Sequence, residues 1–110
     1  MTEAREATYL YLTTTGRRSG LPREIEIWFT RHDERYYIIS EHSHRAHWVQ
    51  NLLGNPRVRW RVGPATLTGR ARLIDPVAEP NLNKTIQALS WKKYGWGDGL
   101  VVELIPDPLP

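Results

Sequence analysis

Eleven consecutive residues, Thr13-Thr14-Thr15-Gly16-Arg17-Arg18-Ser19-Gly20-Leu21-Pro22-Arg23, bring together three guanidinium groups, four hydroxyl side chains and two glycines. Arg17, Arg18 and Arg23 are permanently charged forks that match the spacing of phosphate oxygens. Gly16 and Gly20 reach backbone angles that turn amide N–H groups toward an anion. Ser19 adds a hydroxyl, and Thr15 and Pro22 frame the loop. The chemistry these residues suit is the gripping of a phosphate. The competing reading is a solvated hairpin loop whose arginines serve solubility.

Two further clusters carry chemical groups. His42, His44 and His47 have His-X-His-X-X-His spacing, which can converge on zinc or non-haem iron. No carboxylate-rich partner cluster accompanies them, so solvated histidines ahead of a helix are expected and no metal site is assigned. Arg57, Arg59 and Arg61 alternate with Val58, Trp60 and Val62. An arginine row beside aromatics suits single-stranded nucleic acid. It suits equally a cross-strand pairing with Glu24 and Glu26, and no nucleic-acid partner is assigned. There is no cysteine, which excludes disulfides and thiolate chemistry, and no Ser-His-Asp triad or paired-carboxylate site is recognisable.

The elements that must position these groups follow from hydrophobic periodicity. Alternation predicts strands over 8–15, 23–31, 36–40, 57–62, 65–74 and 100–105. Gly69 suggests a bend or bulge in the fifth. In the second, Ile25, Ile27 and Phe29 oppose Glu24, Glu26 and Trp28. Trp28 is therefore a large ring on a polar face, placed to cover a cofactor, to meet another subunit or to fill a second sheet surface. A short helix is expected from Ser43 or His44 to Leu53, capped by Ser43 and stopped by Gly54-Asn55-Pro56. A second is expected over 82–94, with Leu82, Ile86 and Leu89 on one face. The closing Pro106-Asp107-Pro108-Leu109-Pro110 should not continue any regular element. Six short strands and two helices predict a mainly β fold, a small closed or partly closed antiparallel barrel.

With 110 residues one domain spanning 1–110 is expected. All twelve arginines precede Arg72 or coincide with it, so an anion-binding surface belongs to the first two-thirds of the chain. The apolar runs are too short for a membrane span, and three of the first six residues, Glu3, Arg5 and Glu6, are charged. A cytoplasmic protein without membrane attachment is the expectation.

The loop 12–23, the segment Trp48-Val49-Gln50-Asn51-Leu52-Leu53-Gly54-Asn55-Pro56-Arg57-Val58 and the order of elements resemble the deazaflavin (F420)-dependent nitroreductase family. That family lies within the pyridoxamine-phosphate-oxidase-like FMN-binding split β-barrels. The resemblance covers roughly residues 8–105. It implies a six-stranded antiparallel split barrel and a homodimer with a flavin-like cofactor near the subunit interface. It also implies hydride transfer from reduced coenzyme F420 to a small conjugated acceptor: an enone, a quinone or a nitroaromatic. By the same resemblance Arg17, Arg18, Ser19, Gly20 and Arg23 hold the cofactor phosphate, and Thr15, Gly16 and Pro22 belong to the same cofactor site. Trp28, Ser40, Arg45, Trp48 and Asn51 line the remainder, and Ser40, Tyr94 or a water supplies a proton. Where family members often carry a lysine, glycines and a proline, this chain has Glu41-His42-Ser43-His44 and Ala46-His47. FMN in place of the deazaflavin, or a non-catalytic flavin- or nucleotide-binding module, are the alternatives.

Overall fold

The computed structural model describes residues 7–108; the charged lead Met1–Glu6 and the terminal Leu109 and Pro110 lie outside the described residues. Seven strands and two helices follow one another: β1 (Tyr9–Thr15), β2 (Pro22–Trp28), β3 (Thr30–His32), β4 (Arg35–Ser40), a 3-10 turn (Ser43–Arg45), α1 (His47–Gly54), β5 (Arg57–Val62), β6 (Ala65–Leu73), α2 (Pro80–Tyr94) and β7 (Leu100–Pro106). All neighbours are antiparallel, in the order β2-β1-β5-β6-β7-β4-β3.

The two margins of this sheet, β2 and β3, are consecutive in the chain and joined at Phe29. One expected strand, 23–31, is therefore bent into two, which gives seven strands where six were expected. Its first half pairs with β1 and its second with β4, so the sheet curls into a half-barrel. At the bend the Phe29 backbone leaves the ladder and needs other partners. Helix α2 provides them: Phe29 N–H donates to Tyr94 Oη (3.0 Å), and Phe29 O accepts from Tyr94 Oη (2.7 Å) and Lys93 Nζ (3.0 Å).

Inward-facing residues at alternate positions fill the barrel. Leu10, Leu12, Ile38, Trp60, Val102 and Leu104 are fully buried, with Phe29, Leu52 and Val58 around them. A second core forms where Ile86 of α2 packs on Tyr37, Ile39, Ile74 and Val101, with the expected Leu82 and Leu89 at its margin. Glu103, almost wholly buried on that face, accepts from Tyr37 Oη (2.6 Å) and Arg72 Nε (3.0 Å) and lies 3.2 Å from Arg35 Nη1.

Four local expectations are corrected. Ser43 does not cap α1; it adopts a φ of 53° and begins the 3-10 turn, and the helix starts at His47. Helix α2 starts two residues early, with Pro80 in its first turn, where a missing N–H costs nothing. Gly69 makes neither bend nor bulge: the β5–β6 register runs through it, and an added Cβ would meet Ile105 O at 2.0 Å. Glycine is there because β7 approaches too closely for a side chain. Strand β7 runs on to Pro106, which pairs with Gly69.

Candidate functional site

The arginine loop leaves β1 and returns as β2, closed by Gly16 N–H to Leu21 O and Gly20 N–H to Gly16 O, both 2.8 Å. Gly20 takes a φ of 72°, which glycine tolerates best. Ser19 Oγ accepts from Leu21 N–H at 3.1 Å. Both glycine amides are thus spent within the loop. Among the described residues, the Arg18 and Ser19 amides and the Arg18 and Arg23 guanidiniums have no protein partner.

Arg17 behaves differently from its neighbours. Its backbone N–H and Nη1 both donate to Asn51 Oδ1 of α1, at 3.2 and 2.9 Å. Nη1 also reaches His47 O at 3.4 Å, and Nη2 lies 3.3 Å from His47 Nδ1. Asn51 is buried and donates from Nδ2 to the buried Thr14 Oγ1 at 3.1 Å. Arg17, Asn51 and Thr14 therefore bracket the loop between β1 and α1. Asn51 uses its amide for this bracket.

Two open clefts flank Trp48. The first, about 670 Å³, is basic: Gly16, Arg17, Arg18, Ser19, Pro22, Arg23, His47 and Asn51 line it with Trp48, against one carboxylate, Glu24. The second, about 710 Å³, is aromatic, bounded by Tyr9, Trp28, Trp48, Tyr94 and Trp96 with Ser40 at its wall. Trp28 is 45% exposed, and its indole lies flat on Tyr94, with centroids 4.5 Å apart and planes at 3°. The charged residues on this second cleft are Glu26 and Glu41, beside His42. Tyr11 faces Glu26 in register, and a hydrogen bond to that carboxylate raises its phenol above the usual range.

Eight of the expected cofactor residues thus share the basic cleft, and Trp28, Ser40 and Tyr94 share the aromatic one. Thr15, Gly20 and Arg45 line neither; Arg45 is exposed on the 3-10 turn. Both proton-donor candidates are engaged elsewhere. Ser40 Oγ, buried, donates to Ser43 O at 2.8 Å. The single Tyr94 hydroxyl hydrogen serves Phe29 O or Thr8 O at the barrel bend.

His47 faces Arg17 and His44 Nδ1 faces Ser43 Oγ at 3.2 Å; among the described residues no three metal-ligating side chains converge. The arginine row does not meet Glu24 and Glu26 directly, because β1 lies between them: Arg59 and Glu24 both border Thr13, and Arg61 and Glu26 both border Tyr11. Arg61 instead stacks on Tyr11, 4.5 Å from the ring centre.

Thr14 and His47 were not anticipated in the basic cleft. Thr14 continues the inward series Leu10, Leu12, and His47 lies one helical turn before Asn51, so periodicity carried a signal for both. Trp96, in a glycine-rich segment after α2, carried none.

A curled antiparallel half-barrel with two helices is a pyridoxamine-phosphate-oxidase-like fold. Solved structures share the fold. An F420-H2 dependent reductase superposes with a TM-score of 0.73 at 19% identity, over 96% of this chain and 100% of the other. A pyridoxamine 5'-phosphate oxidase-like protein from Listeria innocua gives 0.66 at 17%, over 92% and 85%. A haem storage protein from Vibrio cholerae gives 0.76 at 19%, over 94% and 84%. No curated protein matches the chain. The model of the F420H(2)-dependent quinone reductase family matches residues 2–96, and the chain belongs to that oxidoreductase family. No helix among the described residues is long and apolar enough to cross a membrane.

Proposed function

We propose that the chain forms a single cofactor-binding domain and works as a cytoplasmic homodimer that reduces a small conjugated acceptor with reduced coenzyme F420. A quinone is the acceptor that the family name favours; enones and nitroaromatics share its chemistry. The observation that carries this reading is the pair of clefts meeting at Trp48, one basic and one aromatic. A ligand with a phosphate at one end and a planar ring at the other matches that division. The donors of Arg18, Ser19 and Arg23 suit the phosphate, and Arg17 acts through the bracket that orders the loop.

When bound, the coenzyme supplies a hydride; with one proton this turns a quinone into its hydroquinone. The chain's part is to hold the phosphate and to present a wall of Trp28, Trp48 and Trp96 to the ring. With Ser40 and Tyr94 bonded within the fold, a solvent water is the proton source we favour. The openness of both clefts and the exposure of Trp28 support a second subunit that covers them.

Fluorescence titration of the apoprotein with F420 and with FMN at equal ionic strength is the test, followed by anaerobic oxidation of reduced F420 by menadione. F420 should bind about tenfold to a hundredfold more tightly, and the oxidation should be catalysed. Equal or tighter FMN binding without F420 oxidation would overturn the assignment in favour of an FMN protein. Light scattering that shows only monomer with coenzyme present would remove the dimer.

A further inference from the structure

The two clefts that meet at Trp48 are opposite in charge. Three arginines and His47 line the first against Glu24, whereas the second has no arginine or lysine and carries Glu26 and Glu41. Both carboxylates are exposed at the cleft and stand among apolar rings. Such walls lower the local dielectric and lengthen the reach of a charge. Tyr11 stands opposite Glu26 in register on the neighbouring strand.

We propose that the aromatic cleft selects planar acceptors that carry no negative charge, with Glu26 and Glu41 as the specificity-determining residues. This rests on the proposed function, with the acceptor stacked beside the coenzyme ring in this same cleft. An uncharged naphthoquinone gains stacking on the rings without electrostatic cost. Within this cleft the same ring bearing a sulfonate meets two carboxylates, His42 and no arginine or lysine. A ring bearing a quaternary ammonium group meets attraction from the carboxylates and from the faces of Trp28 and Trp48. Discrimination of this kind is a difference of affinities produced by repulsion. The expected order is cation, then neutral ring, then anion, with the anion weaker than the neutral ring by about tenfold to a hundredfold at low salt.

The experiment compares 1,4-naphthoquinone, its 2-sulfonate and a trimethylammonium derivative. Binding is read by quenching of tryptophan fluorescence in the coenzyme-free protein, and kcat/KM is read with reduced F420. The neutral and cationic rings should outbind the sulfonate, and the gap should narrow as salt rises. The Glu26→Gln, Glu41→Gln double variant should bring the three ligands within about threefold of one another. Glu34→Gln, in the turn between β3 and β4, should leave their ratio as it was. Equal binding of sulfonate and neutral ring by the unaltered protein, or an unchanged ratio in the double variant, overturns the proposal. Because the binding ratio is measured without coenzyme, a protein that shows it but does not turn over keeps the charge selection and loses the F420 assignment.

Discussion

Changing Arg17 and Arg18 to alanine one at a time should separate two roles that their adjacency hides. Arg17 donates from Nη1 to Asn51 at 2.9 Å and makes two longer contacts with His47. A hydrogen bond from a charged donor contributes about 1.5–3 kcal/mol when protected. Arg17 is exposed, so solvent screening reduces this. Arg17→Ala should therefore lower folding stability by about 1–2 kcal/mol, and weaken coenzyme binding because the loop it orders loosens. Arg18 has no such tie among the described residues. Arg18→Ala should leave stability within about 0.5 kcal/mol and weaken binding by about 1.5–3 kcal/mol, roughly tenfold to a hundredfold. Urea unfolding with tryptophan emission measures the first quantity and F420 titration the second. Arg18→Ala should also flatten the salt dependence of binding, since it deletes a direct charge contact. An Arg17→Ala protein of unaltered stability that has lost binding would refute the division. It would mean that Arg17 releases Asn51 and grips the ligand itself.

Three other outcomes follow from the same structure. Burial raises the Glu103 carboxyl, but bonds from Tyr37, Arg72 and Arg35 and the charge of Arg72 more than offset this and leave it below its ordinary value of 4.5. Its stabilisation is present above that value and is lost as pH falls through the lower folded one. Glu103→Gln should cost about 3–5 kcal/mol at neutral pH and flatten the acid limb of stability, as read by urea midpoints from pH 3 to 7. Tyr94→Phe removes the partner of Phe29 N–H at the barrel bend; a loss of about 1–3 kcal/mol is expected, while the pH profile of kcat keeps its shape. A collapse of that profile would reinstate the hydroxyl as proton donor. Gly69→Ala places a methyl 2.0 Å from Ile105 O, so thermal unfolding should shift down by about 10 °C or more. An unchanged transition would show that β6 and β7 can part there.

Much of the protein is local enough to read from residue order. The alternation of Val58, Trp60 and Val62 with three arginines set which side of β5 enters the barrel, because successive strand residues point to opposite faces. The spacing of Leu82, Ile86 and Leu89 placed the buried stripe of α2 for a similar reason. The glycines, arginines and serine of the loop suggested an anion site from their chemistry alone. What tertiary structure decided was which partner each group takes. Arg17 looked equivalent to Arg18 until α1 brought Asn51, thirty-four positions away, against it. Ser43 looked like a helix cap until the 3-10 turn claimed it, and Tyr94, a proton-donor candidate, proved to bond the Phe29 bend. The bend itself arises because a curled sheet must bring its margins together, and one strand long enough to reach both serves as each. Periodicity reports the side on which a residue stands; closure of the barrel determines what stands opposite, and so creates the two clefts at Trp48.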